Sequence, residues 1–227
     1  MEPLSRACII GDIAQVKALI DEQRLTGADI RADENEALRA ACACGHLELA
    51  QWLTNEYGLT AEDARSCANN ALTLACNNGH LAIAQWLADR FELTTDDARP
   101  PANTAMLLAC EKGRIEIAQW LVERFDIKAE DVRERNVSAL FGSCSKGRLE
   151  VAQWLAERFE LTDEDARVSD IRAFRAACMN GHLKVAQWFF KRFNITVEEI
   201  QEMQCSILQY TCSHGHIETA QWLVQFF

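Results

Sequence analysis

Proline is almost missing from this chain, with three in 227 residues, and glycine is sparse at ten. That scarcity excludes proline-rich spacers and glycine-rich flexible linkers, and no low-complexity stretch takes their place. No apolar segment approaches the ~18 residues that a membrane-spanning helix needs. The start, Met1-Glu2-Pro3-Leu4-Ser5-Arg6, has no basic segment leading into an apolar run, so no secretory signal is read and an intracellular, cytoplasmic setting is expected. Positive charge is also short: 23 Lys and Arg stand against 34 Asp and Glu, a formal charge of −11. Nucleic acid and anionic membrane surfaces, which need a basic footprint, are therefore not expected partners. The sequence lacks a phosphate-binding glycine loop, a Gly-x-Ser-x-Gly elbow and a His-Glu-x-x-His pair. Neither an enzymatic activity nor a cofactor is expected.

What the chain has is periodicity. Gly11, Gly45, Gly79, Gly113, Gly147, Gly181 and Gly215 are each 34 residues apart, as are Cys8, Cys42, Cys76, Cys110, Cys144, Cys178 and Cys212. Trp52, Trp86, Trp120, Trp154, Trp188 and Trp222 keep the same step. Exact spacing of this length marks stacked units that bury their apolar faces only against neighbours. The expected fold is therefore an all-α, right-handed repeat solenoid of about seven units, a single array over 1–227. Residues 1–34 read as an amino-terminal capping unit, because Ala18 and Gln23 replace the Trp and Phe or Tyr of other units. Five full units follow over 35–204. Residues 205–227 form an incomplete last unit that ends in consensus residues without a polar cap, which suggests a longer array or an end-to-end contact.

Within one unit, Leu72, Ala75 and Cys76 are spaced i, i+3, i+4 and predict a short first helix over about 71–78, with Asn70 as its N-cap and Gly79 as its stop. Thr104, Ser138 and Ser206 share the Asn70 column. Leu81, Ile83, Ala84, Trp86, Leu87 and Phe91 predict a longer second helix. Thr60 with Asp63, Thr94 with Asp97 and Thr162 with Asp165 are capping boxes that announce a third, short helix. Arg31, Arg65, Arg99, Arg133 and Arg167 end that segment and are placed to pair with an acid on the next unit; the sixth unit departs here, with Glu199 and Gln201.

Ten cysteines raise the question of disulfides or metal. Helices stacked ~8–10 Å apart hold column members too far apart to bridge. The column is read instead as small buried hydrophobes in a reducing compartment. Cys44, Cys67 and Cys205 lie outside it and are the candidates for reactivity. His46, His80, His182 and His216 share a column with Arg114 and Arg148, so they are read as structural turn residues rather than ligands. Cys212, His214 and His216 fall short of the four ligands of a structural zinc site, and no metal is expected.

The run Ala-Leu-x-x-Ala-Cys-x-x-Gly-His-Leu at 37–47 and 71–81 resembles the ankyrin repeat, and the resemblance extends over the whole chain. The proline of that family's Thr-Pro-Leu-His tetrapeptide is replaced by Ala71, Ala105, Ala139 and Ala173. Its β-hairpin is replaced by a Leu-Thr-x-Glu-Asp-Ala-Arg segment that reads as helix. Tetratricopeptide repeats share the 34-residue period but need two helices of similar length.

The resemblance implies a noncatalytic scaffold or adaptor that binds a protein partner through variable positions of its concave face. Those positions are Arg39, Thr73, Leu107, Phe141, Arg175 and Gln209, and the pairs before each glycine, among them Glu111-Lys112, Ser145-Lys146 and Met179-Asn180. The site called from these is Leu107, Glu111, Lys112, Phe141, Ser145, Lys146, Arg175 and Met179. Leu107 and Phe141 supply an apolar anchor, with Lys112, Lys146, Arg114 and Arg148 as a basic rim, suited to an acidic amphipathic segment. The alternative is that Leu107 and Phe141 pack against their own loops. A monomer is expected, with end-to-end assembly as the alternative role.

Overall fold

The computed structural model describes residues 3–98, 104–133, 138–167, 171–202 and 206–227. Every regular element among them is a helix, so the fold is an all-α repeat solenoid and the segment in the hairpin's place is helical. Packing divides the chain into two compact units, Met1–Ala109 and Cys110–Phe227.

In the carboxyl-terminal unit the sixth repeat shows the build. Its first helix, Arg172–Met179, buries Ala173, Phe174, Ala177 and Cys178. Gly181 then takes a left-handed φ of 74°, and the His182 amide reaches back to the Ala177 carbonyl at 2.9 Å. This closure satisfies carbonyls that the helix end leaves open. The second helix, Leu183–Arg192, buries Val185, Ala186 and Phe189. Trp188 packs edge-on against Phe193 with centroids 5.9 Å apart, the arrangement the ring quadrupoles favour. The same pair recurs within that unit as Trp120–Phe125 and Trp154–Phe159. The third helix, Val197–Glu202, opens on Thr196, whose amide donates to Glu199 at 2.8 Å.

The amino-terminal unit follows the same plan, with Trp52–Tyr57 and Trp86–Phe91 as its edge-on pairs. It departs at Ala61–Asn78, where the third helix of the second repeat continues without a break into the first helix of the third. Asn70 therefore lies inside a helix and caps nothing, a correction to the expected start at 71. Ser66 to Asn70 contain neither glycine nor proline to stop the helix. Thr104, Ser138 and Ser206 lie within their helices, and the residues preceding them lie outside the described residues.

Adjacent repeats are joined by two side-chain ladders. In one, Arg31 pairs with Asp63 at 3.2 Å and Arg65 with Asp97 at 2.6 Å in the amino-terminal unit. Arg167 pairs with Glu199 at 2.7 Å in the other. Each acid is also the capping-box residue of its own short helix, so one carboxylate holds a helix start and the neighbouring repeat together. Arg31 and Arg167 extend the clasp by donating to the carbonyls of Tyr57 and Asn194. The side chains of Arg99 and Arg133 lie outside the described residues.

In the second ladder, the imidazole of one repeat covers the glycine of the repeat before it. His46 Nε2 donates to the Ile9 carbonyl at 2.8 Å, His80 to Ala43 at 3.1 Å and His182 to Ser145 at 3.1 Å. Arg148 makes the equivalent bond to the Glu111 carbonyl through Nε at 3.1 Å. The column accepts histidine or arginine because it needs an N–H donor on a flat group.

Candidate partner-binding site

The cysteine column is core. Cys8, Cys42, Cys76, Cys110, Cys144 and Cys178 are free and buried, and burial pushes the thiols of Cys8, Cys76 and Cys110 up to about 12. Such thiols are inert at neutral pH. Cys212 departs from its column by being exposed. Cys44 is exposed too; Cys205 and the side chain of Cys67 lie outside the described residues. No group of three His, Cys, Asp or Glu residues with metal-holding geometry occurs among the described residues.

The variable columns of the fifth, sixth and seventh repeats gather around one cleft. It is lined by Phe141 from the helix Ser138–Ser145, by Arg172, Arg175, Ala176, Met179 and Asn180 from Arg172–Met179, and by Tyr210 from Ser206–Ser213. Its volume is about 380 Å³. The cleft exists because residue size runs large, small, large across three neighbouring helices. Ala176 is the low floor between Phe141 and Tyr210, and close packing elsewhere in the repeat leaves nothing to fill the difference.

Phe141 is half-buried, and the Arg172 guanidinium lies 5.3 Å from its ring centroid, a cation–π contact. Tyr210 is 38% exposed and stacks on His214 with centroids 3.9 Å apart. Arg175 and Met179 are one turn apart on the same helix, and both are half-buried. Neither Arg172 nor Arg175 forms an ion pair with a carboxylate among the described residues.

Three of the residues expected from sequence, Phe141, Arg175 and Met179, are thus brought together. Leu107 falls in the amino-terminal unit, half-buried on Thr104–Lys112, and this cleft is built from the carboxyl-terminal unit alone. Lys112 and Lys146 are exposed. Ser145 turns its hydroxyl to the Gly142 carbonyl, and it and Glu111 give their own carbonyls to the His182 and Arg148 bonds. Arg172, Ala176 and Tyr210 were missed by reading columns singly. The available signal was Tyr210, which stands where other repeats have Ala40, Leu74, Leu108, Gly142 and Ala176.

Lys146, Arg148 and His216 gather positive charge around His182. Burial holds the His182 imidazole below its ordinary pKa, the bond to Ser145 opposes this, and the charges of His216, Arg148 and Lys146 add to the lowering. The acids of this unit collect elsewhere, as at the depression lined by Glu157, Glu160, Asp163 and Glu164.

No helix among the described residues is long and apolar enough to cross a membrane. The family model described as Ankyrin repeats (3 copies) matches residues 55–131 and 72–170, together just over half of the chain. No curated protein matches it.

Proposed function

The chain belongs to the ankyrin repeat family, and on that footing we propose that it is a noncatalytic adaptor that holds a protein partner against the first helices of its carboxyl-terminal repeats. The observation that carries this reading is the division of labour between columns. Those that repeat are spent on core, caps and inter-repeat ladders, and the ones that vary meet at an open cleft whose arginines form no ion pair with a carboxylate among the described residues. The family is typically noncatalytic, and among the described residues the groups with shifted pKa values are caps, ladder members, core cysteines and Tyr57, not a convergent catalytic set. Six buried free thiols favour a reducing, intracellular compartment.

Affinity capture tests the reading, with wild type, Phe141→Ser and Leu107→Ser/Phe141→Ser compared side by side. Phe141→Ser is expected to stay folded and to lose the captured partner. Lost thermal stability with an unchanged set of partners would refute it.

A second reading, self-assembly through the last repeat, is favoured by the exposure of Ile217 at 66% and Val224 at 56%. Sedimentation at increasing concentration, with Ile217→Ser/Val224→Ser as the control, decides between them.

A further inference from the structure

We infer that the Phe141–Tyr210 cleft takes a short acidic peptide segment of the partner, one aromatic or aliphatic side chain seated over Ala176 and its carboxylates held by Arg172 and Arg175. This deepens the adaptor reading and rests on it.

Charge distribution supplies the first argument. The chain carries −11, yet residues 138–149, 171–197 and 206–217 contain no Asp or Glu at all. Those stretches include the three helices that build the cleft and the turns that follow them. They hold Lys146, Arg148, Arg172 and Arg175. A positive face kept clear of carboxylates on an acidic protein attracts acidic partners.

The second argument is geometric. Arg172 and Arg175 are three residues apart, so their guanidiniums project from one side of the helix. Arg172 lies against the Phe141 ring, which leaves its N–H edge free to meet a carboxylate in a two-pronged contact. Between the arginines and Tyr210 the floor is Ala176 and the wall is Met179, so the centre of the cleft is apolar. An apolar centre with a charged rim is the usual form of a binding hot spot.

Size supplies the third. About 380 Å³ lies near the lower end of ligand clefts, which run roughly from 300 to 1,000 Å³. That volume seats one large side chain and its flanking backbone, as a short segment would present them.

The test is selection from a random short-peptide display library on the full-length chain, followed by titration of selected peptides against wild type, Arg172→Glu/Arg175→Glu and Arg172→Gln/Arg175→Gln. Thermal melts establish that all three are folded. Selected peptides should combine several Asp or Glu with one Phe, Trp, Tyr or Leu. Affinity should drop about tenfold or more on charge reversal, less on neutralisation, and weaken as salt is raised. Selected peptides without acids, equal binding to the charge-reversed protein, or no selected peptide at all would each overturn the inference. So would retention of an oligonucleotide or of anionic vesicles by this face in place of peptide. Partner capture that still depends on Phe141 would then leave the adaptor reading standing, and loss of both would end it.

Discussion

Placing alanine at Gly45 and at Gly58 should cost very different amounts, although both glycines have left-handed backbones. Gly58 has φ 57°, and a Cβ built there meets nothing within 4 Å. Its substitution therefore isolates the backbone effect. A left-handed residue with a Cβ costs roughly 1–2 kcal/mol. The stiffer unfolded chain returns about 0.4–1 kcal/mol, so Gly58→Ala should cost about 1 kcal/mol. Gly45 has φ 86°, and its Cβ would come within 2.7 Å of the His80 ring, closer than such atoms approach. The imidazole must move and give up its bond to the Ala43 carbonyl, adding about 1 kcal/mol. Gly45→Ala should therefore cost about 2 kcal/mol. His80→Ala alone should be mild, because the Asn78 amide still donates to the Ala43 carbonyl at 2.7 Å. In that background Gly45→Ala should fall to the cost of Gly58→Ala, a coupling of about 1 kcal/mol. Urea denaturation of these variants, followed by circular dichroism, measures all the terms. Equal costs for Gly45→Ala and Gly58→Ala would refute the view that imidazole-over-glycine contacts join the repeats.

Other consequences are equally direct. Thr54 is fully buried in a column that elsewhere holds Ile20, Ala88, Val122 and Ala156, and its hydroxyl has no partner among the described residues. Thr54→Val should raise stability by about 1 kcal/mol, read as a higher urea midpoint, and a lower midpoint would contradict the assignment. Asp97 and Glu199 are held below the ordinary carboxylate range chiefly by Arg65 and Arg167. At Asp63 burial pulls upward, and Thr60 with Arg31 outweighs it. A depressed carboxylate stabilises the fold above its unfolded-state pKa, and the benefit is lost as pH falls through the folded value. Stability should thus decline through the acid range, with Asp97→Asn flattening that decline and costing about 0.5–1 kcal/mol at neutral pH. Native-state alkylation mapped by mass spectrometry should label Cys44 and Cys212, and should reach Cys8, Cys42, Cys76, Cys110, Cys144 and Cys178 only on unfolding.

Some of the architecture was open to reading because it is local and copied. Leu72, Ala75 and Cys76 make a helical stripe by themselves, and Thr60 and Asp63 close a capping box within four residues. The arginine ladder was foreseeable because Arg65 and Asp97 recur with the period. The left-handed ends of the second helices were not. Arg24, Glu92, Asp126 and Glu160 have φ between 48° and 53°, where only Gly58 and Asn194 have the residue types that favour it. Packing of the next apolar residue imposes that turn, as when the Leu93 amide closes on the Ala88 carbonyl at 2.9 Å.

The sequence by itself determined the module: a 34-residue period, its buried faces, its caps and the family to which it belongs. Those properties depend on neighbours along the chain, and a repeating pattern states them several times. Only tertiary structure decided where a partner can sit. Phe141, Ala176 and Tyr210 come from three different repeats, Ala176 and Tyr210 from one column and Phe141 from the column before it, and their difference in size becomes a cleft once three helices stand side by side. Comparing one column at a time never sets Phe141 beside Ala176 and Tyr210, because that contact runs across columns and through space.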